Sequence, residues 1–278
     1  MRGWWICLAA AACYQPKPRI GAACGANDAC PAELACIGGL CLSPGTLPPD
    51  GPVQPPADAP PDSPPGLDAP PPDPSLIARW TFETDPSAGA HDVTGHGHDA
   101  ACVTTCPTLV AGKAGNGYRF DAAKSEALRT PDSLAFRGNY TIAAWIKIDA
   151  VPTTNSFSIM AKPLGTGTAN SWQLEVLSDD KLSHSAGTPH TLEGSTAITI
   201  NAWHHVAGTW DGTTKYVYVD GVQVGSVAAT DDFDTHAVYL GSDENNGAPA
   251  LFFSGVLDDL RIYNRALTTP EIATLAGP

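Results

Sequence analysis

The segment from Val256 to Tyr263 contains a carboxylate where an apolar side chain is expected. If this segment is a strand, Val256, Asp258, Leu260 and Ile262 point to one face, because successive side chains of a strand alternate. A lone carboxylate on an apolar face costs free energy unless hydrogen-bond donors or a cation compensate it. Asp258 therefore predicts one of two roles: binding of a cation, or acceptance of hydrogen bonds from neighbouring backbone amides.

Two pairs of histidines are weaker candidates for a metal site. His204 and His205 are adjacent in a predicted strand, so their side chains point to opposite faces and do not easily hold one ion. His96 and His98 share a face only in an extended segment, whereas they lie among the glycines of a predicted turn. We therefore expect one packed and one surface histidine at 204–205, and no transition metal at the second pair.

The sequence lacks the constellations that hydrolytic enzymes use. Its glutamates are few and far apart in the C-terminal part of the chain, so no strand places two of them on one face, as some glycoside hydrolases do. There is no H-E-x-x-H, no G-x-S-x-G and no phosphate-binding glycine loop. We predict no catalytic residue and a protein that is not an enzyme; a catalytic pair distant in sequence is the alternative.

Composition and charge exclude further classes of protein. The chain has 29 acidic against 15 basic side chains and a formal net charge of −14, which would repel a phosphate backbone and excludes a nucleic-acid binder. No apolar run approaches the roughly 20 residues that a membrane-spanning helix needs. About half of the 26 prolines lie between Pro44 and Pro74, so the chain divides into regions of different composition.

The first thirteen residues have the pattern of an export signal. Arg2 precedes a short apolar core, and four alanines lead directly to Cys13. This ending resembles a bacterial lipobox, in which the cysteine is lipidated, and Tyr14 in place of an aspartate resembles sorting to the outer membrane. We predict a signal peptide over 1–12 and a lipid anchor at Cys13, with display at the outer membrane or cell surface. Ordinary cleavage and secretion is the alternative.

Six cysteines remain after Cys7 and Cys13, an even number that suits disulfides in an oxidising compartment. Four of them lie close together, without the C-x2-C pair or the histidine of a zinc site. We predict two disulfides among these four, with three connectivities open. We predict one local disulfide between the other two; two free thiols are the alternative. The six are Cys24, Cys30, Cys36, Cys41, Cys102 and Cys106.

Residues 13–43 and 44–75 are expected to differ in structure. The first is a small disulfide-rich segment that resembles the Cys-rich segment after the lipidated cysteine of many myxobacterial surface proteins. The second is rich in proline and aspartate and has no Lys or Arg. Because proline removes hydrogen-bond donors and like charges repel, we predict that residues 44–75 form a disordered, extended stalk.

Residues 76–278 are numerous enough for one sizeable hydrophobic core, and their pattern is strand after strand. The segment from Tyr140 to Ile148 alternates and is rich in β-branched and aromatic residues. Asp211-Gly212 and Asp220-Gly221 each separate two such segments, which is a hairpin signal. Short strands joined by Gly and Asp turns predict an all-β fold, a jelly-roll sandwich of two antiparallel sheets.

Motifs at both ends and in the middle of this region carry a family resemblance. Trp203-His-His-Val-Ala-Gly-Thr-Trp-Asp-Gly and Tyr216-Val-Tyr-Val-Asp-Gly resemble the central hairpins of laminin-G-like, concanavalin A-like jelly rolls. Gly255-Val-Leu-Asp-Asp-Leu-Arg-Ile-Tyr resembles their closing strand, and Ala78-Arg-Trp-Thr-Phe-Glu their opening strand. The resemblance covers residues 76–278 and implies two stacked antiparallel sheets, often with a structural calcium.

The resemblance also implies where that calcium would bind. Related jelly rolls hold the ion between the opening and closing strands. One ligand is the acid after Trp-x-Phe, which here is Glu83, and another is the first acid of the Asp-Asp pair, which here is Asp258. The glycine-rich turn offers Asp92 and backbone carbonyls toward the roughly six to eight oxygens that Ca²⁺ takes. We expect a structural Ca²⁺ at Glu83, Asp92 and Asp258; capping of backbone amides by Asp258 is the alternative.

We predict a non-catalytic surface lipoprotein that binds a glycan. The prediction combines the export signal, the lipid anchor, the stalk and a jelly roll that lacks an acid–base pair. The step to carbohydrate is an analogy with the family; adhesion to a surface protein is the alternative, and an enzyme acting on polysaccharide the third class. We expect a monomer that contacts the membrane through its lipid anchor alone. The ligand site is unknown; residue types that sugar sites use occur at Trp172, Asn170, Asp243, Asn245 and Asn246.

Overall fold

The structure is a computed structural model that describes residues 30, 34–37, 40–42, 73–131, 134, 137–153, 155–186 and 190–277. The chain divides into two compact units, residues 1–69 and 70–278. The predicted signal peptide, the predicted lipid anchor Cys13, the cysteine Cys24 and residues 44–72 of the predicted stalk lie outside the described residues. None of the helices in the described part of the chain is long and apolar enough to cross a membrane.

The first unit contains a small disulfide-bonded hairpin. Strands β1 (Ala35–Ile37) and β2 (Leu40–Leu42) pair antiparallel, with Cys36 opposite Cys41. Cys41 forms a disulfide with Cys30, and Cys36 is disulfide-bonded as well. Because so short a segment buries little apolar surface, these covalent links are its main support.

The second unit consists almost entirely of strands. In chain order they are β3 (Leu76–Trp80), β4 (Ala101–Cys102), β5 (Thr108–Ala111), β6 (Asn116–Phe120), β7 (Leu128–Arg129), β8 (Tyr140–Ile148), β9 (Ser156–Leu164), β10 (Ala169–Leu177), β11 (Lys181–Ala186), β12 (His190–Ala197), β13 (His204–Trp210), β14 (Thr214–Val219), β15 (Val222–Ala228), β16 (Tyr239–Leu240), β17 (Asp243–Asn245), β18 (Ala248–Ala250) and β19 (Gly255–Tyr263). One α-helix, α1 (Thr269–Leu275), follows the last strand.

Two large antiparallel sheets make up this unit. The seven-stranded sheet has the order β12–β11–β10–β9–β16–β7–β4. The eight-stranded sheet has the order β15–β14–β13–β8–β19–β6–β5, and β3 also pairs with β19. The hairpin β17–β18 forms a separate two-stranded sheet that pairs with neither of them. The predicted all-β jelly-roll sandwich is therefore confirmed.

The hydrophobic core lies between the two sheets, and strand alternation explains its composition. On β8, Ile142, Ala144, Ile146 and Ile148 are fully buried in it. From the other sheet, β10 contributes Trp172, Leu174 and Val176. Full burial of each large side chain stabilises the fold by about 1.5–3 kcal/mol, so this core supplies most of the folding free energy.

The helix α1 covers one end of the outer face of the eight-stranded sheet. Thr268 and Glu271 form a capping box at its N-terminus, which satisfies backbone N–H groups that a helix start leaves unpaired. Ile272 packs in a second apolar cluster with Ala143 of β8 and Tyr218 of β14. This part of the outer face is thus apolar and closed by the protein itself.

The predicted hairpin turn at Asp220-Gly221 is present between β14 and β15. Both residues have positive φ, 49° and 78°, as a type I′ turn requires. A Cβ on Gly221 would lie 2.9 Å from Cα of Ala273 in α1. Glycine is therefore needed there for two reasons, the backbone angle and the close approach of the helix.

An ion pair is enclosed between the sheets, in a set of side chains that we call the inner network. Lys215 Nζ lies 2.8 Å from Asp231 Oδ1, and both side chains are fully enclosed. The hydroxyl of Tyr140 donates to Asp231 Oδ2 at 2.7 Å and lies 2.9 Å from His184 Nε2. Burial holds the pKa of His184 well below its usual value, so this histidine is neutral. The inner network joins both sheets through one balanced pair of charges.

Candidate functional site

Strand β10 presents polar side chains on the face turned away from the core. Because Trp172, Leu174 and Val176 point inward, Gln173 and Glu175 point to the outer face of the seven-stranded sheet. The neighbouring strand β11 adds hydroxyls to the same face, since Ser185 lies opposite Gln173 and Ser183 opposite Glu175. Alternation alone thus builds a polar surface here.

A bulge in β10 brings an amide onto this face. The register between β10 and β9 shifts between Asn170 and Trp172, and such a bulge redirects a side chain. Asn170 Nδ2 donates to Gln173 Oε1 at 3.1 Å and to Asp243 Oδ2 at 3.2 Å. The aspartate follows β16 in the chain, so the bulge connects residues distant in sequence.

The hairpin β17–β18 holds Asp243 in place. Asn246 and Gly247 form its turn with φ of 53° and 80°, the geometry of a type I′ turn. The N–H of Asn246 donates to the carbonyl of Gly167 in the β9–β10 turn at 2.8 Å. Asp243 Oδ1 accepts the N–H of Glu244 at 2.7 Å. The hairpin is therefore fixed against the end of β10 that carries Asn170.

Serine hydroxyls extend the hydrogen bonds to a second carboxylate. Ser185 Oγ donates to Gln173 Oε1 at 3.3 Å and to Glu175 Oε1 at 3.1 Å, and Ser156 Oγ donates to Glu175 Oε2. With Asn170 these bonds form a continuous chain from Glu175 to Asp243. We call Asn170, Gln173, Glu175, Ser185 and Asp243 the outer cluster.

The outer cluster contains two carboxylates and no cation. Glu175 is 7% exposed and Asp243 is 1% exposed. Burial raises the pKa of Glu175, and it raises the pKa of Asp243 to about 6, helped by the negative charges of Glu175 and Glu244. Among the described residues, no Lys, Arg or His forms an ion pair with either one. Keeping both charges here costs folding free energy.

The outer cluster also leaves hydrogen-bonding capacity unused. Asn170 Oδ1 and Gln173 Nε2 are buried and have no hydrogen-bond partner among the described residues. Each unpaired buried polar atom costs roughly 1–3 kcal/mol. An acceptor and a donor, flanked by two carboxylates, are the groups that a ligand rich in hydroxyls would pair with.

An aromatic ring and a cation continue the same face beyond the cluster. Across the sheet from Gln173 the register runs through Ala161 and Tyr239 to Arg129. The Arg129 guanidinium lies 5.7 Å from the Tyr239 ring centroid, and the Tyr239 hydroxyl donates to Glu244. A cavity of about 360 Å³ opens beside Arg129, lined also by residues of β4 and by Pro131. The outer cluster thus stands at one end of a polar strip.

The sequence candidates for a sugar site have mixed outcomes. Trp172 is wrong as a binding platform, since it is fully buried in the core. Asn170 and Asp243 meet in the outer cluster, and the amide of Asn245 reaches Asp243 Oδ2 at 3.3 Å when its nitrogen faces that oxygen. Asn246 serves the hairpin turn. Gln173, Glu175 and Ser185 were missed, although the polar positions alternating with the apolar ones in 172–176 could have indicated two of them.

The predicted orientation of the closing strand is wrong for two of the four side chains named above, Val256 and Asp258. The register of β19 against β8 shifts after Asp258, and Asp259 has a φ of 48°. This bulge reverses the alternation, so Leu257 lies in the core beside Leu260, whereas Val256 does not. Asp258 points to the loop before β6 and accepts the N–H groups of residues 113 and 114 at 2.8 and 3.0 Å.

The carboxylates predicted to bind calcium have separate hydrogen-bond partners. Glu83 Oε2 accepts the N–H of Asn116 at 3.0 Å, and Asp92 Oδ1 accepts the N–H of Thr94 at 3.0 Å. In the described part of the chain, no three His, Cys, Asp or Glu side chains are grouped so that they could hold a metal. Glu83, Asp92 and Asp258 are thus not gathered into such a group. The ion stays a prediction, which melting with calcium and with chelator would test.

The histidines and the remaining cysteines have structural partners. His205 is buried against Trp145, with ring centroids 5.4 Å apart, and His204 Nδ1 lies 2.8 Å from Asp220 Oδ2. His96 Nδ1 lies 3.1 Å from the carbonyl oxygen of residue 77. Cys102 and Cys106 form the expected local disulfide.

Comparison with known proteins identifies a family. The family model described as "Concanavalin A-like lectin/glucanases superfamily", of the laminin G group, matches residues 121–273, which is more than half of the 278 residues. This range includes β8 to β19 and all of the outer cluster. No curated protein matches the chain.

Three solved structures share the fold. Domain 4 of AbnA, an extracellular arabinanase from Geobacillus stearothermophilus in complex with arabinotriose, aligns with a TM-score of 0.57 and 22% identity over 73% of this chain and 98% of that one. Trypanosoma rangeli sialidase aligns with a TM-score of 0.58 and 19% identity, over 74% and 33%. The binding domain of Paraclostridial Mosquitocidal Protein 1 aligns with a TM-score of 0.56 and 18% identity, over 73% and 52%. The chain thus covers about a third of the sialidase and half of the mosquitocidal domain.

Proposed function

The chain belongs to the concanavalin A-like lectin/glucanases superfamily, and from this premise we propose that its second unit binds carbohydrate at the outer cluster without hydrolysing it. The observation that carries the proposal is the unused polarity of that cluster. Two carboxylates without a cation and two unpaired amide atoms reduce the stability of the fold. Such an arrangement is typical of a site that is completed by a ligand.

The chemistry of the outer cluster matches the hydroxyls of a sugar. Glu175 and Asp243 accept hydrogen bonds, Gln173 Nε2 donates one and Asn170 Oδ1 accepts one, so neighbouring hydroxyls of one ring could each find a partner. A few well-placed polar groups of this kind are typical of small-ligand sites. The arabinanase domain that shares this fold is in complex with arabinotriose, which supports the choice of carbohydrate.

The carboxylates are arranged for binding and are poorly placed for acid–base catalysis. A general acid or base must reach the reacting bond directly or through one water. Both oxygens of Glu175 already accept serine hydroxyls, and both oxygens of Asp243 already accept N–H groups, from Asn170 and from Glu244. We therefore assign these groups to positioning and recognition of a glycan, without turnover.

A glycan array with the purified protein tests this function. The array should include arabinan oligosaccharides and sialylated glycans. We expect specific binding that Glu175→Gln lowers at least tenfold, because the amide presents a donor where the carboxylate accepts. Asp232→Asn, on the exposed loop before β16, removes the same charge elsewhere and should bind normally. No binding to any glycan together with specific capture of a surface protein would favour adhesion, and release of sugar from a polysaccharide would contradict both.

We further propose that the protein is exported and anchored by lipid at Cys13. The disulfides Cys30–Cys41 and Cys102–Cys106 support export, because such bonds persist in oxidising compartments. Mass spectrometry should find acyl chains on Cys13, and Cys13→Ser should release the protein from membranes or block its processing. An unmodified Cys13 in soluble secreted protein would contradict the anchor and leave ordinary secretion.

A further inference from the structure

The outer face of the eight-stranded sheet has a second, polar part beyond the helix α1. On β8 the outward side chains are Ala143, Trp145 and Lys147, since the residues between them lie in the core. Ala143 belongs to the cluster under α1. Trp145 and Lys147 lie further along the strand, and each is partly exposed. This part of the face has an aromatic and cationic surface in a chain whose net charge is −14.

Two lysines on this surface each lie over a tryptophan ring. Lys113 Nζ is 4.2 Å from the Trp145 ring centroid, and Lys147 Nζ is 5.2 Å from that of Trp203. We call these four residues the Lys–Trp surface. Within the described ranges no carboxylate forms an ion pair with either lysine. Cation–π contact holds each ammonium group over a ring, without an ion-pair partner in the described residues.

Backbone hydrogen bonds fix the loop that carries Lys113. Asp258 Oδ2 accepts the N–H groups of Lys113 and Ala114 at 2.8 and 3.0 Å. A Cβ on Gly112 would lie 2.7 Å from the same oxygen, so the loop is seated directly on this carboxylate. At the other end of the loop, Glu83 accepts the N–H of residue 116. The position of Lys113 above Trp145 is therefore set before any ligand arrives.

Other charges border the Lys–Trp surface without neutralising it. Arg119 on β6 and Lys147 on β8 lie in one cross-strand row, with Val256 between them, which places them about 10 Å apart. Arg119 forms a bidentate ion pair with Asp149. Asp259 is paired with two arginines, Arg79 and Arg261. Asp258 lies opposite Trp145 in the register and accepts two backbone N–H groups, and it is buried under the loop. In the described part of the chain, the two lysines are the cations of this surface that form no ion pair.

We infer that the Lys–Trp surface binds an acidic polysaccharide, one whose sugar rings carry carboxylates. Both indole rings are partly exposed, and their exposed parts can pack against the C–H faces of sugar rings. The ammonium group over each ring is placed for a carboxylate on the same or the next sugar ring. This surface lies on the sheet opposite to the outer cluster, so it is a second site with a different ligand chemistry. A neutral sugar would leave both ammonium charges uncompensated.

Titration of the purified protein with pentagalacturonate tests this inference, with its methyl ester as the uncharged match. We expect the acid to bind at least tenfold more tightly than the ester and to weaken as NaCl is raised, since screening reduces the attraction. Lys113→Gln/Lys147→Gln should lose at least tenfold of this affinity. Lys124→Gln/Lys181→Gln, which removes two lysines elsewhere on the surface, should retain it. The variant Glu175→Gln should also retain it, which separates this site from the outer cluster.

Three results would overturn the inference. The first is equal binding of the acid and its ester, or no binding of either. The second is equal loss of affinity in the two double-lysine variants, because the effect would then be one of net charge. The third is binding of polyaspartate as tight as that of pentagalacturonate, because the surface would then recognise charge on a peptide and not a sugar. Circular dichroism of each variant checks that the fold is intact.

Discussion

The inner network and the outer cluster are both buried and polar, yet they differ in charge balance. In the inner network Lys215 and Asp231 neutralise one another, and Tyr140 donates to Asp231 and lies within hydrogen-bond distance of His184. Among the described residues, Lys215 Nζ and Asp231 Oδ1 make no hydrogen bond beyond this ion pair. The outer cluster has two carboxylates, no cation and two amide atoms without partners. The charges of the inner network are therefore balanced within the fold, and those of the outer cluster are not.

This difference is the basis for assigning the inner network to stability and for the proposal that the outer cluster binds a ligand. A balanced network between two sheets can be maintained for the sake of a unique packing arrangement. An unbalanced one lowers the free energy of unfolding, and proteins tolerate such a cost mainly at functional sites. Changes in the inner network should therefore affect folding, whereas changes in the outer cluster should affect ligand binding.

The largest expected effect is on the inner network. Asp231→Ala leaves Lys215 enclosed without a partner, and we expect it to lower the free energy of unfolding by about 3–5 kcal/mol. Lys215→Met/Asp231→Leu removes both charges and should recover most of that loss. Urea unfolding measures both. If the single variant loses less than about 1 kcal/mol, the inner network is not the stabilising partner in this comparison.

The two networks should respond to pH in opposite directions. The pKa of Asp243 is raised from 3.8 to about 6, so the folded state holds this proton more tightly than the unfolded state. Its stabilising contribution is complete below pH 3.8 and is lost as pH rises through about 6. His184, whose pKa is lowered, has the reverse effect: it stabilises the fold above its unfolded value of 6.5, and that contribution falls on acidification.

Unfolding of Asp243→Asn and the unmodified protein between pH 5 and 8 isolates the aspartate. On going from pH 8 to pH 5, we expect the free energy of unfolding of the unmodified protein to rise by about 1.4 kcal/mol relative to that of Asp243→Asn. Asp258, whose pKa is also raised to about 6, is present in both proteins, so its contribution cancels. If the free energies of unfolding of the two proteins change in parallel with pH, burial does not penalise the charged form of Asp243.

The smallest expected effect on stability is that of Glu175→Gln. This change removes a charge that burial penalises and keeps the shape of the side chain. We expect the free energy of unfolding to stay constant or to rise by up to about 1 kcal/mol at pH 7. A fall of about 2 kcal/mol or more in the free energy of unfolding would mean that Glu175, like the residues of the inner network, has a structural role.

The fold was predictable because its signals are local. Alternation in 140–148 and the Asp-Gly pair at 220–221 each specify a strand or a turn from a few adjacent residues. The bulge at Asp258 was not predictable, since it depends on how β19 pairs with β8 and β3 and has no sequence signature of its own. That one irregularity changed the face of two side chains and the apparent role of Asp258.

The candidate site was predictable only in fragments. Asn170 and Asp243 were noted for their chemical type, but nothing in the sequence indicates that a bulge and a hairpin bring them within 3.2 Å. Glu175 was counted among isolated glutamates, because its carboxylate neighbour is 68 positions away in the chain. Tertiary pairing creates the cluster, and sequence spacing does not report it.

The most direct test of the account is calorimetric titration of the best glycan from the array into the unmodified protein, Glu175→Gln and Asp232→Asn. We expect a measurable affinity for the unmodified protein, the same affinity for Asp232→Asn, and at least a tenfold loss for Glu175→Gln, with Glu175→Gln no less stable in urea than the unmodified protein. Unchanged affinity in a stable Glu175→Gln protein would contradict the central claim that the outer cluster binds carbohydrate.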